Sequence, residues 1–269
     1  MTRVAIIAAL PGELKPLVKD WAHERFASVD VWRRKFDEGE WIAACAGAGE
    51  NAATRAFAEI EKDGPVTLAL SVGWAGALRD DLACGRAYRV SGVIDMKTGE
   101  RFSLPTLNAE DAFRMGHPLE VGHSTSHPKV KNKSAAGVGH PLPQPLLVAT
   151  TARVADREEK KRLASAYGAA LVDMEAATVA RLAAMRGIPF YCIKAVSDGV
   201  NDHLPDFNRF IASDGSFQMA RFALYAAFRP VYWPALIRMG ENSRRASQSI
   251  AESVLDFLDE RGTIRERNG

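Results

Sequence analysis

Short apolar runs alternate along the chain with amphipathic segments, and this alternation predicts the elements of the fold. The runs RVAIIAAL (3–10), VTLALSVGWAGAL (66–78) and IPFYCIKAVSDG (188–199) have the uninterrupted apolar character of buried strands. The segment WIAACAGAGENAATRAFAEIEKDG (41–64) predicts a strand, a turn containing glycine and a helix that stops at Gly64. A strand end and a helix closed by Gly187 are predicted from ALVDMEAATVARLAAMRG (170–187).

Continuous apolar strands separated by helices are typical of an α/β fold whose sheet is covered on both faces. A length of 269 residues allows one large domain or two small ones, and length alone does not choose. Residues 14–21 predict the start of a further helix after the first strand. No internal repeat is visible in the sequence.

Two regions break the alternation. Leu104 to Gln144 is rich in His, Pro, Gly, Ser and Lys, and it predicts a mobile, solvated loop about 104–144. A metal site is the alternative for this tract, because it holds four of the six histidines: His117, His123, His127 and His140. Residues 229–269 predict a helical extension to a domain at 1–228, with an amphipathic helix from about Ser243 to Leu258.

Composition and charge narrow the possible partners. Apolar residues make up 47% of the chain and charged residues 25%, which is typical of a globular protein with a sizeable core. The net charge of +2 gives no reason to expect nucleic acid as the main partner. Three separated cysteines form no zinc or redox motif, and the first apolar run is too short to span a bilayer. We expect a cytoplasmic protein with no stable membrane insertion, no metal and no cofactor.

Polar or small residues follow several of the predicted strands. Glu13 follows the first strand, the turns at 46–49 and 73–77 follow the next two, and Ser197 and Asp198 end the last. Because ligands of open α/β sheets sit beyond the carboxyl ends of the strands, these residues are predicted to converge on one pocket. Each feature alone has a structural explanation, since Glu13 can cap a helix and the glycines can form tight turns.

Asp173 and Glu175 flank Met174 where a helix is predicted to begin. Acids are common in the first turn of a helix because they meet unpaired backbone N–H groups and the positive end of the helix dipole. Capping is therefore one explanation for this pair, and a pocket at the strand end is the other.

Together these segments resemble a known family. VDMEAATVARLAAMRGIPFYCIKAVSDG, SVGWAGAL and AIIAALPGEL are similar to sequences of the nucleoside phosphorylase and nucleosidase superfamily. The similarity is greatest to methylthioadenosine/S-adenosylhomocysteine nucleosidases and to hopanoid-associated phosphorylase-like proteins, and it covers residues 3–100 and 146–211 in order. The Met-Glu-Ala element, with 22 residues between Glu175 and Asp198, is its most specific part. The resemblance implies a single three-layer α/β domain with a mixed central β-sheet flanked by helices.

The resemblance also implies roles for individual residues. Asp198 matches the acid that protonates the purine at N7, and Glu13 matches the base that activates water. Glu175 matches the carboxylate that binds the ribose hydroxyls, and Met174 matches the residue that packs against the sugar. The other positions implied to line the substrate site are Ala48, Trp74, Ala75, Gly76, Arg153, Val154, Asp173, Ser197 and Phe207.

The sequence departs from the family pattern at two places. Trp74 stands where the phosphorylases carry a serine or threonine that holds phosphate, which favours water as the nucleophile unless the indole packs into the core. The aromatic residue that the nucleosidases place against adenine has no counterpart at Ala152 to Val154, whereas Phe207 matches a second one. The sequence does not specify the 5′ substituent of the substrate.

Three functions are compatible with these residues. We expect a nucleosidase that releases adenine from a small-molecule purine nucleoside, with a 5′ substituent, by attack of water. The alternatives are a phosphorolytic nucleoside phosphorylase and a non-catalytic nucleoside-binding protein on the same fold. The resemblance further implies a homodimer.

Overall fold

The computed structural model describes residues 2–36, 39–104, 145–202 and 204–260. The strands are β1 Thr2–Ala8, β2 Ala22–Phe26, β3 Val29–Phe36, β4 Gly39–Cys45, β5 Leu68–Ala77, β6 Ala87–Arg89, β7 Gly92–Asp95, β8 Arg101–Ser103, β9 Leu147–Thr150, β10 Leu171–Asp173 and β11 Phe190–Asp198. The helices are α1 Pro11–Leu14, α2 Glu50–Glu61, α3 Arg157–Tyr167, α4 Ala176–Arg186, α5 Met219–Ala227 and α6 Trp233–Glu260, with short 3₁₀ turns at Phe207–Phe210 and Pro230–Tyr232.

The strands form one mixed sheet that branches at β5. Its main path runs β2-β3-β4-β1-β5-β10-β9-β7-β8, while β11 pairs with β5 and β6 pairs with β11. Strands β1, β4, β5 and β11 are parallel, and β10 is antiparallel to β5. The parallel strands β1 and β11 end on the same side, where Glu13 follows β1 and Asp198 is the last residue of β11. Residues 73–77, predicted as a turn, are instead the second half of β5, which runs on past the end of β1.

Helices cover both faces of the sheet. Helices α2 and α4 bury their apolar faces in one core cluster with residues such as Ile7, Phe57 and Val179. On the opposite face α1 and α6 pack against the other side of β1, β5 and β11 in a cluster that includes Leu70 and Phe257. Helix α3 covers β9 and β10 through Leu163. The predicted single α/β domain with a mixed central sheet between helices is confirmed.

The principal predicted strands and helices are present, with two differences. Helix α1 is one turn long and gives way to non-helical turns, so the helix predicted over 14–21 is wrong. Helix α6 starts at Trp233, ten residues before the predicted start, and its second half is buried in the core. The strands β2, β3, β6, β7, β8 and β9 and the helices α3 and α5 were not predicted.

Three further sequence predictions concern the loop at 104–144, a metal site and membrane insertion. Residues 105–144 of the predicted loop, with their four histidines, lie outside the described residues. Among the residues that are described, no group of three His, Cys, Asp or Glu side chains is arranged to hold a metal ion. Within the same ranges, no helix combines the length and apolar character needed to cross a membrane.

Candidate active site

Glu13 is held in place by three backbone N–H groups. Its Oε2 accepts hydrogen bonds from the N–H groups of Ala9 and Leu10, both at 2.8 Å, and its Oε1 accepts one from Trp74 at 2.8 Å. Glu13 thus caps the one-turn helix α1 and links the end of β1 to the second half of β5. Burial raises the pKa of its carboxyl above the ordinary value, although the backbone donors and the charge of Lys194 act in the opposite direction.

The glycine at position 73 makes room for this carboxylate. Gly73 has φ of +145°, and a Cβ added there would lie 2.9 Å from Glu13 Oε1. A side chain at this position of β5 would therefore displace Glu13 in addition to straining the backbone.

The indole of Trp74, a residue of β5, points towards α6. Its Nε1 donates to Ser247 Oγ at 3.0 Å, and its ring packs against the core cluster formed with α6. Ser247 in turn donates to the carbonyl of Gly12. These contacts favour the second explanation for Trp74, packing into the core. The indole links α1 to α6, and Glu13 is bound by the backbone N–H of Trp74 and not by its side chain.

Asp173 forms a fully buried ion pair with a lysine that the sequence analysis did not single out. Its Oδ2 lies 2.8 Å from Lys194 Nζ on β11, and both side chains are excluded from solvent. Asp173 also accepts hydrogen bonds from Thr150 Oγ1 at 2.7 Å and from the Ala176 N–H at 2.9 Å. Asp173 therefore caps α4 and anchors Lys194, and breaking this pair would cost roughly 3–5 kcal/mol of stability.

Glu175 is buried one residue before α4 begins. Its Oε1 accepts a hydrogen bond from the Gly49 N–H at 2.7 Å, which links the strand end after β10 to the turn before α2. Burial and the nearby negative charges of Asp173 and Glu13 raise the pKa of Glu175 to about 8, against a downward effect of Lys194. Lys194 is thus the nearby positive charge for all three acids, Glu13, Asp173 and Glu175.

Asp198 ends β11 at a β-bulge. The register with β5 shifts between Val196 and Asp198, so that Ser197 is the extra residue. The Ser197 hydroxyl donates to Asp198 Oδ1 at 2.7 Å, and Lys160 of α3 donates to Asp198 Oδ2. Lys160 Nζ also donates to the Gly199 carbonyl at 2.8 Å. Both carboxylate oxygens of Asp198 therefore accept a hydrogen bond from a side chain, one from Ser197 and the other from Lys160.

Lys160 reaches Asp198 by passing over Gly76. A Cβ added at Gly76 would come within 3.0 Å of Lys160 Cε and 3.2 Å of its Nζ. Only 4% of Lys160 is exposed, whereas its neighbour Lys161 has a half-exposed side chain that pairs with Glu158. Gly76 and Ala75, predicted to line the substrate site, contribute here by admitting Lys160 and by offering a carbonyl near the Ser197 hydroxyl.

A cavity of about 390 Å³ lies beside residues that bind Glu175 and Asp173, whereas Glu13 and Asp198 are not among the residues that line it. Ala48 and Met174 are the predicted site residues that line it, and Gly49 and Thr150 connect its wall to Glu175 and Asp173. A cavity of this size lies within the range that accommodates a small ligand such as a nucleoside. The remaining lining residues are Glu50, Asn51, Asp95, Lys97, Thr151, Ala152, Thr178, Ile211, Ala212, Ser213 and Gly215.

The predicted base-binding residues lie on two connected segments. Asn208 Oδ1 accepts from the Val154 N–H at 2.8 Å, and Asn208 Nδ2 donates to the Val154 carbonyl at 3.0 Å. This double contact brings Val154 next to the turn that carries Phe207, whose ring packs against Phe217 and Phe222. Arg153 exposes its side chain, and its carbonyl accepts from Thr151 Oγ1.

The two buried lysines were missed for different reasons. Lys194 stands alone in the apolar run FYCIKAV, and a lysine in a buried strand requires a buried acid, so this signal was available. Lys160 lies in the charged segment REEKKRLASAY, where nothing in the sequence separates it from Lys161.

The raised pKa of Glu175 predicts that the stability of the fold depends on pH. Below pH 4.5 the carboxyl is protonated in the folded and unfolded chains alike, whereas between 4.5 and about 8 only the unfolded chain releases the proton. Ionisation therefore favours unfolding as pH rises through this window. Because Gln cannot ionise and retains an acceptor for the Gly49 N–H, Glu175→Gln is expected to be more stable than wild type by roughly 2–3 kcal/mol near pH 7.

Urea unfolding across this pH range measures the effect. The advantage of Glu175→Gln should disappear at the acid end, where both proteins are neutral at this position. The exposed Glu158→Gln serves as the matched control and is expected to leave the pH dependence of stability unchanged. A Glu175→Gln advantage that is independent of pH would contradict the assignment.

Comparison with known proteins gives three kinds of match. The family model described as the phosphorylase superfamily matches residues 3–227. The aminodeoxyfutalosine nucleosidase of Campylobacter jejuni is 25% identical over 238 residues, which cover 83% of this chain and 97% of that protein. Among solved structures, an MTAN mutant of Helicobacter pylori with 5′-methylthioadenosine in its active site has a TM-score of 0.60 at 16% identity, covering 97% of this chain and 99% of that one. The S-adenosylhomocysteine nucleosidase of Streptococcus pyogenes has a TM-score of 0.59 at 17% identity, with 96% of each chain covered.

Proposed function

This chain belongs to the phosphorylase superfamily, and from that premise we propose that it is a nucleosidase that hydrolyses the N-glycosidic bond of a purine nucleoside. The observation that carries the proposal is the arrangement of three buried carboxylates around the second half of β5: Glu13 after β1, Glu175 after β10 and Asp198 at the end of β11. Their different partners suit them to different tasks. The C. jejuni relative, named as a nucleosidase, supports the same reaction class.

The proposed reaction assigns one proton transfer to each of two acids. The oxygen of water attacks C1′ of the sugar, the C1′–N9 bond breaks, and its electron pair passes to the purine. Asp198 gives a proton to N7 of the departing base, and Glu13 accepts a proton from the attacking water. The products are the free purine and the free sugar, so atoms and charges balance.

Glu175 and Met174 are proposed to hold the sugar. Met174 lines the cavity, and Glu175 is tied to the cavity wall through Gly49. A carboxyl group at this position is suited to accept hydrogen bonds from ribose hydroxyls. Phe207 and Val154, joined through Asn208, are proposed to bind the base. A 5′ substituent on the substrate is proposed from the similarity to the H. pylori structure, which holds 5′-methylthioadenosine.

Water is preferred to phosphate as the nucleophile on the basis of Glu13 and the two lysines. A buried carboxylate with a raised pKa is a suitable base for water, but it repels a phosphate anion. Lys194 and Lys160, the lysines buried beside the carboxylates, are each paired with an aspartate. Because the Trp74 indole turns towards α6, its bulk does not contribute to this preference.

Lys160 is proposed to position Asp198 and to stabilise the negative charge that remains after Asp198 has given up its proton. Lys160→Met is expected to lower kcat for a purine nucleoside by about tenfold or more, because the acid loses its orientation and its counter-charge. Nitrophenyl riboside, whose leaving group departs without a proton, should be cleaved at a nearly unchanged rate. Lys160→Arg should recover part of the loss.

Two comparisons separate this role from a general loss of structure. Lys161→Met removes the adjacent, half-exposed lysine and is expected to have wild-type kinetics with both substrates. An equal loss of activity with purine nucleoside and nitrophenyl riboside in Lys160→Met would assign Lys160 a purely structural role.

The proposal is tested by incubating the protein with a panel of purine nucleosides that differ at the 5′ position and measuring release of free base. Phosphorolysis, the second enzymatic candidate, would require phosphate and yield the sugar 1-phosphate. A protein that binds nucleosides without turnover would release no base. The retention of all three carboxylates favours catalysis over simple binding.

The remaining expectations about partners are also proposals. We expect a cytoplasmic protein that acts on a small-molecule nucleoside, without nucleic acid as a partner, and that forms a homodimer. Light scattering of the purified chain, whose mass is 29.3 kDa, tests the dimer directly.

A further inference from the structure

Residues 219–240 form a helical projection without a single buried residue. The projection consists of α5, the 3₁₀ turn at Pro230–Tyr232 and the first two turns of α6. Its large apolar side chains are nevertheless numerous, and six of them are about half-exposed or more: Met219, Leu224, Phe228, Val231, Trp233 and Ile237. An apolar surface of this kind on a soluble domain marks a site of interaction.

The projection is fixed to the domain at one end by aromatic packing. Phe210, which is buried, contacts Phe222 and Tyr225 of α5 with ring centroids 5.4 and 5.1 Å apart. Tyr225 stacks in turn on Tyr232 at 6.4 Å. These aromatic contacts hold one side of α5 against the domain and leave Leu224, Phe228 and Val231 facing outwards.

The charge of the projection is entirely positive. Between residues 215 and 240 the sequence contains three arginines, Arg221, Arg229 and Arg238, and neither Asp nor Glu. All three arginines are exposed, and Arg229 lies over the ring of Tyr225 at 3.9 Å. The surface that covers this face must therefore accept apolar side chains and carry negative charge.

We propose that the projection docks reversibly onto an anionic membrane surface. Phe, Leu and Trp side chains on a helical face bordered by arginines are suited to the boundary between lipid head groups and acyl chains. A second copy of the chain is a poorer occupant, because a two-fold contact pairs this face with itself, and a face with three arginines and no acid offers them no opposite charge. Nucleic acid would satisfy the charge but leave the apolar side chains uncovered.

Docking of the projection would hold the cavity beside the membrane. Ile211, Ala212, Ser213 and Gly215, which lead into the projection, line the cavity. The backbone N–H of Ala48, another lining residue, donates to the Gly215 carbonyl at 2.8 Å. This connection is short, so the docked face lies close to the cavity in the chain.

Vesicle sedimentation with the full chain tests the proposal. We expect wild type to sediment with vesicles in which about a third of the lipid is phosphatidylglycerol, and to do so about tenfold less with phosphatidylcholine alone. The double variant Phe228→Ser/Val231→Ser and the triple variant Arg221→Gln/Arg229→Gln/Arg238→Gln should each lower the partition coefficient by about tenfold. Added salt should weaken binding of wild type but not that of the triple variant.

The matched control is Met185→Ser, which removes an exposed apolar side chain of α4 outside the projection. It should bind vesicles like wild type, and all variants should keep the thermal unfolding midpoint and the base-release activity of wild type. Equal binding to both kinds of vesicle, or no binding to either, would overturn the proposal. Self-association of the free protein that is lost in Phe228→Ser/Val231→Ser would also overturn it, in favour of a second copy on this face.

Discussion

Asp198→Asn is expected to lower kcat for release of the purine by about a hundredfold or more. The amide oxygen can still accept a hydrogen bond from Lys160, and the amide NH₂ can donate to the Ser197 hydroxyl oxygen, so the end of β11 should keep its shape. It cannot supply a proton to N7, and the base must then leave as an anion. Because the loss lies in the chemical step, KM is expected to change little.

Steady-state kinetics with two substrates measure this effect. Nitrophenyl riboside, which needs no acid, should restore most of the lost rate in Asp198→Asn. Asp202→Asn is the matched control, since Asp202 lies in the same loop but accepts only the Gly199 N–H among its described contacts. Near-normal purine release by Asp198→Asn would remove Asp198 from the mechanism.

Glu13→Gln is expected to produce the second large loss, again about a hundredfold in kcat for hydrolysis. The substitution removes the base that takes the proton of the attacking water. It also turns an NH₂ group towards either the Trp74 N–H or the pair of donors at Ala9 and Leu10. Stability is therefore expected to fall as well, by about 1–3 kcal/mol, and the kinetics must be measured where the variant is fully folded.

The pH profile separates the base from the helix cap. Burial raises the pKa of Glu13, so kcat/KM of wild type should fall as pH drops through a value above the ordinary 4.5 of glutamate. If Glu13 only caps α1, Glu13→Gln would cost about 1 kcal/mol of stability and leave the profile intact. A variant that loses stability but keeps both its rate and its acid limb would contradict the assigned role.

The strands and helices around the site could be predicted because their patterns are strong. β1, β5 and β11 are continuous apolar runs, and α4 ends at a glycine that adopts the left-handed conformation. The short exposed strands could not be predicted in this way. All five residues of β2 are exposed, so that strand is specified by its pairing with β3 and not by its own apolar pattern.

The acids of the candidate site could be predicted from the sequence. The groups that hold these acids in place were harder to predict. Strand ends pointed to Glu13, Glu175 and Asp198, but the hydrogen bonds that hold them come from residues distant in sequence, such as Gly49 and Trp74. Asp173 and Glu175 illustrate the difference. Both lie at the start of one helix, yet Asp173 caps it and binds Lys194, while Glu175 reaches across to Gly49.

The burial of Lys160 depends on tertiary structure alone. Its burial follows from the packing of α3 over Gly76, which a sequence pattern of charged residues cannot reveal. The direction of the Trp74 indole is a similar case, because the hydroxyl that binds it belongs to Ser247, 173 positions later in the chain. Side-chain direction at such positions is set by distant partners.

The most direct measurement of the proposed hydrolysis follows a purine nucleoside with the wild-type protein in phosphate-free buffer made with ¹⁸O-labelled water. The proposal predicts release of free purine at a rate that added phosphate does not change, and a free sugar that carries the label at C1′. Release that requires phosphate and yields the unlabelled sugar 1-phosphate, or no release across the nucleoside panel, would contradict it.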